Sequence, residues 1–82
     1  MNKLPDDDLF RQETDDALVA DRRNFFKIEV WTRDGLHVER MLFAGSSLDQ
    51  ARALFVNFVK KRPRGRLTIR QRARVLAKWP NR

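Results

Sequence analysis

The sequence predicts a small α+β domain, in which a three-stranded antiparallel or mixed sheet carries one helix on one face. Three observations predict this fold class. The 82 residues are enough for one domain. Three segments alternate apolar and polar residues with the period of a strand, and one segment has the apolar spacing of an amphipathic helix. Their order along the chain is strand, strand, helix, strand, so we expect a ββαβ domain.

Residues 1–24 form an acidic N-terminal extension, with seven carboxylates against four basic side chains. Asp8 is a candidate N-cap for a helix that reaches Leu18, and Thr14 or Asp15 is a candidate start for a shorter one. Apolar positions are too sparse here for a continuous stripe, so a loose tail and a short docked helix remain alternatives. The folded basic domain is expected at residues 25–80.

A β-hairpin is expected to open this domain. Residues 25–32 alternate in polarity, and residues 36–43 follow after the loop Arg33-Asp34-Gly35, where glycine can adopt a positive φ. Arg40 falls on the same side as the apolar residues of the second strand. A bulge near Arg40 would remove that conflict by shifting the later residues across the pleat.

A helix is expected after the hairpin. Ser47 followed by Gln50 fits a capping box, with Ser46 and Asp49 as the alternative register. The helix should end near Lys61, because Pro63 cannot continue it. Its apolar stripe consists of Leu48, Ala51, Leu54, Phe55, Phe58 and Val59.

The third strand is expected to be one long extended segment from Gly65 to Trp79. The period of a strand puts a basic row on one face, because a helical period would scatter the arginines and leave no apolar stripe. Strand order 2-1-3, antiparallel throughout, is preferred, and order 1-2-3 is the alternative. The core candidates are Phe26, Ile28, Val30, Leu36, Val38, Leu54, Phe55, Phe58, Leu67, Ile69 and Val75. The sheet face away from the helix is expected to stay uncovered.

The ββαβ pattern and the stretch Leu-Thr-Ile-Arg-Gln-Arg-Ala-Arg-Val-Leu resemble small bacterial proteins of uncharacterised activity. The resemblance extends over residues 25–80 at most. It implies no activity and no site residues for this chain.

Composition argues against an enzyme. Without cysteine the chain has no disulfide, thiolate nucleophile or thiolate metal site, and His37 has no second histidine to share a metal. Glu29 and Glu39 on a shallow sheet have no means of raising a pKa for acid–base catalysis. We therefore expect no catalytic residue, metal, cofactor or small-molecule substrate. With neither an apolar run of about 18 residues nor a signal peptide, a cytoplasmic protein without a membrane partner is expected.

The charge distribution predicts an anionic partner. Residues 25–82 hold 14 basic residues against four acidic ones, and no acidic residue follows Lys60. Arginine forks match phosphate geometry, and an exposed tryptophan can stack on a base. The predicted function is therefore a non-enzymatic module that binds RNA or single-stranded DNA. The candidate residues are Arg66, Arg70, Arg72, Arg74 and Lys78 on the third strand, Lys27 and Trp31 on the first, and Lys60, Lys61, Arg62 and Arg64 beyond the helix.

Two other interpretations of the basic face remain open. In the first, Glu29 and Glu39 pair with arginines across strands, arginine stems pack over Trp31, and the face is simply solvated. In the second, the chain is a protein-interaction module, either a homodimer formed through an edge strand or an adaptor or inhibitor that contacts an acidic partner.

Overall fold

The structure is a computed structural model that describes residues 12–81. Its elements in chain order are α1 (Ala17–Arg22), β1 (Phe26–Trp31), β2 (Val38–Gly45), α2 (Leu48–Lys61), β3 (Arg66–Gln71) and β4 (Arg74–Trp79). The N-cap expected at Asp8 lies outside the described residues. The shorter helix is present as α1 and begins slightly later than predicted, because Asp16 caps it: its Oδ1 accepts from the amide of Leu18 at 2.9 Å.

The sheet has four strands in the order β2-β1-β3-β4, and every neighbouring pair is antiparallel. The α+β class and the preferred adjacency of the first three strands are confirmed. The prediction of three strands is wrong, because the segment expected as one strand from Gly65 to Trp79 folds back on itself. Gln71 pairs with Arg74, so only Arg72 and Ala73 remain as the loop between β3 and β4.

This hairpin removes the continuous basic row that the sequence predicted. Arg72 has a φ of 53°, in the left-handed region where glycine or asparagine is usual, and its Nε donates to the carbonyl of Asp21 at 3.0 Å. Arg66 and Arg70 stay on one face of β3, whereas Arg72 lies in the turn and Arg74 begins the next strand. The arginines therefore occupy different places in the fold.

Strand β2 carries the irregularity that Arg40 predicted. The register of β2 against β1 shifts between Ile28 and Glu29 and again between Val30 and Trp31. Arg40 pairs with Val30 between these two shifts, which confirms the expected bulge near Arg40. The strand starts at Val38 and not at the predicted Leu36, so the loop between β1 and β2 extends over residues 32–37. In that loop the amide of Thr32 donates to the carbonyl of His37 at 2.8 Å, which closes residues 32–37.

Helix α2 covers one face of the sheet, as predicted. Ser47 caps it, with its hydroxyl oxygen accepting from the amide of Gln50 at 3.2 Å. The buried residues between helix and sheet are Ile28, Val30, Phe43, Ala51, Leu67 and Ile69, and Phe26, Leu54, Phe55 and Phe58 pack against them.

Three predicted core residues are exposed. Leu36, in the loop before β2, is 71% exposed, and Val38, at the start of that strand, is 37% exposed. Val75 is 50% exposed because it pairs with Arg70 and shares that residue's side of the sheet, away from α2. These three assignments are therefore wrong.

The sheet face away from α2 is not fully uncovered, which corrects a further expectation. Ala20 of α1 packs with Phe25 and with Ala44 of β2 in a second small core, and Met41 borders it. The N-terminal segment also contacts β2, where the amide of Glu13 donates to the carbonyl of Ala44 at 2.8 Å. No helix within residues 12–81 combines the length and apolarity needed to span a membrane.

Candidate nucleic-acid interface

Four side chains of alternating charge cross the sheet face away from α2. Lys27 Nζ lies 2.6 Å from Asp21 Oδ1 and 3.8 Å from Glu29 Oε2, and Arg70 Nε lies 2.6 Å from Glu29 Oε1. Lys27 and Glu29 are each only 2% exposed. The hydrogen bond to Glu29 also raises the pKa of Arg70 above its ordinary value. Two of the predicted nucleic-acid contacts, Lys27 and Arg70, are therefore paired with carboxylates of the chain itself.

The side chain of Trp31 is fixed by two contacts, one with the ion-paired Arg70 and one with Thr68. The guanidinium carbon of Arg70 lies 5.3 Å from the centroid of the indole ring, in cation–π range. The indole Nε1 donates to Thr68 Oγ1 at 2.9 Å. The pairing of Glu29 with an arginine and the packing of an arginine over Trp31, both expected from the solvated-face interpretation, are thus present. Glu39 makes no ion pair among residues 12–81.

A different group of arginines converges at the end of the sheet where β1 finishes and β3 begins. We call it the arginine cluster, and it consists of Arg33, Arg62, Arg64 and Arg66. These side chains line a surface depression of about 240 Å³ together with one carboxylate, that of Glu39. Within the described part of the chain, none of the four guanidinium groups forms an ion pair.

Local backbone structure brings these four residues together. Arg33 is the second residue after β1, whereas Arg62 and Arg64 lie in the segment that joins α2 to β3. Trp31 and Arg66 are paired residues of the antiparallel strands, so the two segments meet at one end of the sheet. Arg66 Nε donates to the carbonyl of Arg33 at 2.7 Å, which holds Arg66 against that loop and leaves its other N–H donors for a ligand.

A second, smaller cavity adjoins the arginine cluster and shares Trp31 and Arg66 with it. This cavity, which we call the tryptophan pocket, has a volume of about 170 Å³. Thr68 and Lys78, which are paired on neighbouring strands, line it, as do Gly35 and the Trp79-Pro80 end of β4. Trp79 is fixed by its indole Nε1, which donates to the carbonyl of Pro63 at 3.0 Å.

The structure therefore divides the predicted site residues into two groups. Trp31, Arg62, Arg64, Arg66 and Lys78 come together around the two cavities. The others do not line either cavity: Lys27 and Arg70 are in the ion-paired network, Arg72 and Arg74 are at the β3–β4 turn, and Lys60 and Lys61 are exposed in the last turn of α2.

Arg33 is the one cluster residue that the sequence prediction missed. The predicted strand order could have indicated it. An antiparallel pairing of the first and third strands puts the residues after the first strand beside the residues before the third. The loop Arg33-Asp34-Gly35 predicts a turn, and a turn by itself assigns no ligand contact to its arginine.

The chemistry available at this end of the sheet is anion binding and aromatic stacking. Arginine and lysine side chains are hydrogen-bond donors only, and they face one carboxylate, Glu39, around the two cavities. Residues 12–81 contain no group of three or more histidine, cysteine or acidic side chains arranged to hold a metal ion. No protein-family model, no curated protein and no solved structure matches the chain.

Proposed function

We propose that this chain is a non-enzymatic module that binds single-stranded nucleic acid, RNA or DNA, at the end of the sheet formed by the arginine cluster and Trp31. The observation that carries the proposal is the convergence of four guanidinium groups from two segments of the chain around one depression. Guanidinium forks bind phosphate oxygens in a bidentate manner, and several of them along a groove can follow a phosphate backbone.

The repulsion between the positive charges of the arginine cluster supports an anionic ligand. Bringing like charges together on a folded surface is unfavourable, and here Glu39 is the only carboxylate that lines the depression. Elsewhere in this chain the cations Lys27 and Arg70 have carboxylate partners within 2.6 Å, so the fold does neutralise charge where a contact is purely internal. The arginine cluster has only partial internal neutralisation, from Glu39, which lines the depression, and from Asp34, which interacts electrostatically with Arg66, and a polyanion would add to it.

The position of Trp31 favours nucleic acid over other polyanions. An aromatic ring beside cationic side chains is the combination by which single-stranded nucleic acids are bound without sequence preference. Trp31 lines both cavities, so the stacking surface and the phosphate-binding groups are adjacent. A sulfated polysaccharide or polyphosphate would use only the arginines.

The test is a fluorescence-anisotropy titration of the full chain with a labelled ten-nucleotide single strand, of RNA and of DNA, at several salt concentrations. Four phosphate contacts predict a slope of about −3 for log affinity against log salt concentration. Absence of binding at low salt would overturn the proposal. Binding that does not respond to salt would overturn it as well, because phosphate contacts release counterions.

Assembly through an edge strand is the second candidate. β4 lies at the edge of the sheet, and Val75 in that strand is half exposed, so another chain could pair with it. It ranks second because Arg74 and Lys78 on the same strand would bring like charges close together in a symmetric pair. Sedimentation equilibrium separates the candidates: a dimer that is lost in Val75→Lys supports assembly, and a monomer at all concentrations excludes it.

A further inference from the structure

We infer that the tryptophan pocket receives one unstacked base of the bound strand while the arginine cluster holds the phosphates next to it. This inference rests on the proposed function and adds the part that each cavity plays. It predicts that the chain binds a base together with the neighbouring phosphates of the strand, and that phosphates alone bind more weakly.

Trp31 and Trp79 both line the pocket, and the side chain of Trp31 is held in place. The indole of Trp31 is fixed by Thr68 through its Nε1 and by the guanidinium of Arg70 over the ring. Trp31 lines the pocket and Arg70 does not. A ring that is already oriented loses little rotamer entropy when a base stacks on it.

The other walls of the pocket bring donors to the edge of such a base. Lys78 and Arg66 carry only donors, and the hydroxyl of Thr68 has a proton to donate because its oxygen accepts from Trp31. Ring nitrogens and carbonyl oxygens on base edges are acceptors of matching type. Arg66 lines both cavities, so a nucleotide whose base enters the pocket has its phosphate next to the arginine cluster.

The size of the pocket limits its occupant to a single base. Its volume of about 170 Å³ is below the roughly 300–1,000 Å³ of pockets that hold drug-sized ligands. A base in a duplex is stacked and paired, and taking it out costs a few kcal/mol. The pocket therefore predicts a preference for single strands over duplexes, which the arginine cluster alone does not predict.

The experiment compares two labelled ten-residue strands with the same number of phosphates, one of thymidine and one in which every nucleotide is abasic. We expect the full chain to bind the thymidine strand at least about fivefold more tightly, in the range measured for stacking of one base on an aromatic ring. Trp31→Leu should remove the preference for the thymidine strand over the abasic strand, because the stacking ring is lost. Lys61→Leu removes a cation that lines neither cavity and should keep the preference.

Tryptophan emission provides a second measurement that does not depend on any variant folding. Because Trp31 and Trp79 both line the pocket, entry of a base should quench the tryptophan emission of the unmodified protein when the thymidine strand is added, and the abasic strand should not. Equal affinity for both strands, or thymidine binding without quenching, would overturn the inference while phosphate binding by the arginine cluster survived. Failure to bind either strand would overturn both this inference and the proposed function.

Discussion

Arg70 and Glu29 form a bidentate ion pair across β1 and β3, with Nε to Oε1 at 2.6 Å and Nη2 to Oε2 at 2.9 Å. The carboxylate is almost fully buried and also lies 3.8 Å from the amine of Lys27. Two parallel charge-assisted hydrogen bonds fix both distance and orientation. Arg70, the fifth residue of β3, therefore has an internal role in the fold.

Replacing Glu29 with alanine should lower the free energy of unfolding by about 3 kcal/mol, because removing one partner of a buried pair leaves the remaining charges uncompensated. Urea denaturation followed by circular dichroism measures the change. Glu39→Ala is the control, since Glu39 is exposed and has no ion pair among residues 12–81. A loss for Glu29→Ala no larger than that of the control would show that the pair does not stabilise the fold.

At the β3–β4 turn, Arg72→Gly should be more stable to unfolding than Arg72→Ala. Both substitutions remove the bond from Arg72 to Asp21, so their difference isolates the positive φ. A left-handed conformation costs a residue with a Cβ roughly 1–2 kcal/mol, so Arg72→Gly should unfold at higher urea than Arg72→Ala.

The matched control for the turn is Arg74, the first residue of β4, which has no positive φ. There the usual order should return, with Arg74→Ala more stable than Arg74→Gly by roughly 0.5–1 kcal/mol. The same order at both positions would argue against the hairpin turn at Arg72.

Reversing two charges of the arginine cluster should weaken nucleic-acid binding strongly. The double change Arg62→Glu and Arg64→Glu replaces two expected phosphate contacts with repulsion, and we expect at least a roughly tenfold loss of affinity at 0.1 M salt. Anisotropy with the labelled single strand measures it.

Arg22→Glu with Arg23→Glu is the charge-matched control. These exposed residues precede β1, whereas the cluster lies beyond its last residue, Trp31. The length of that strand, about 17 Å at 3.3 Å per residue, exceeds the Debye length of about 10 Å at 0.1 M salt. We expect less than about a threefold loss in the control. An equal loss in both variants would mean that only net charge matters.

Asp34 should make the loop before β2 sensitive to acid. The hydroxyl of Thr32, at 2.6 Å, and the amide of Leu36 donate to its carboxylate and hold the pKa of Asp34 below its usual 3.8. A lowered pKa in the folded state means that the stabilisation is complete above the usual value and is lost as the pH falls through the lower one. The melting temperature of the wild type should therefore exceed that of Asp34→Ala at pH 7, and the difference should disappear well below the usual pKa.

An unchanged difference at low pH would show that the carboxylate charge of Asp34 does not support the loop. Because this loop carries Arg33, nucleic-acid affinity at neutral pH should also fall in Asp34→Ala. An affinity equal to that of the wild type would show that Arg33 keeps its position without the loop contacts.

The sequence was informative wherever local chemistry decides structure. The cap at Ser47, the helix that ends at Lys61, the alternation of β1 and the bulge around Arg40 all follow from short-range rules. The helical crossover favours the order 2-1-3 of the first three strands, which the structure has, but it leaves 1-2-3 as an alternative. These features fix most of the core around Ile28.

The β3–β4 hairpin was not predictable in the same way. Its loop, Arg72 and Ala73, contains none of the glycine, asparagine, aspartate or proline residues by which such turns are recognised. Apolar alternation continues through the turn, so a single strand matched the pattern equally well. Tertiary pairing with β3 overrides local preference at Arg72.

The kinds of residue in the candidate site could be predicted from the sequence, but their positions in the fold could not. The sequence indicated that basic residues and Trp31 matter, and it included four of the five cations that now line the two cavities. It could not show that Arg70 belongs to Glu29 or that Lys27 is buried beside Asp21, because these pairings depend on strand register and on the docking of α1.

The alternating charges of Asp21, Lys27, Glu29 and Arg70 restrict how this chain can diverge. On the α2 side of the sheet, aliphatic residues can replace one another if total volume is kept. On the opposite side, a change at one of the four positions calls for a compensating change at its partner. Distant relatives should therefore be recognisable by covariation of these four positions even after the apolar residues have drifted beyond recognition.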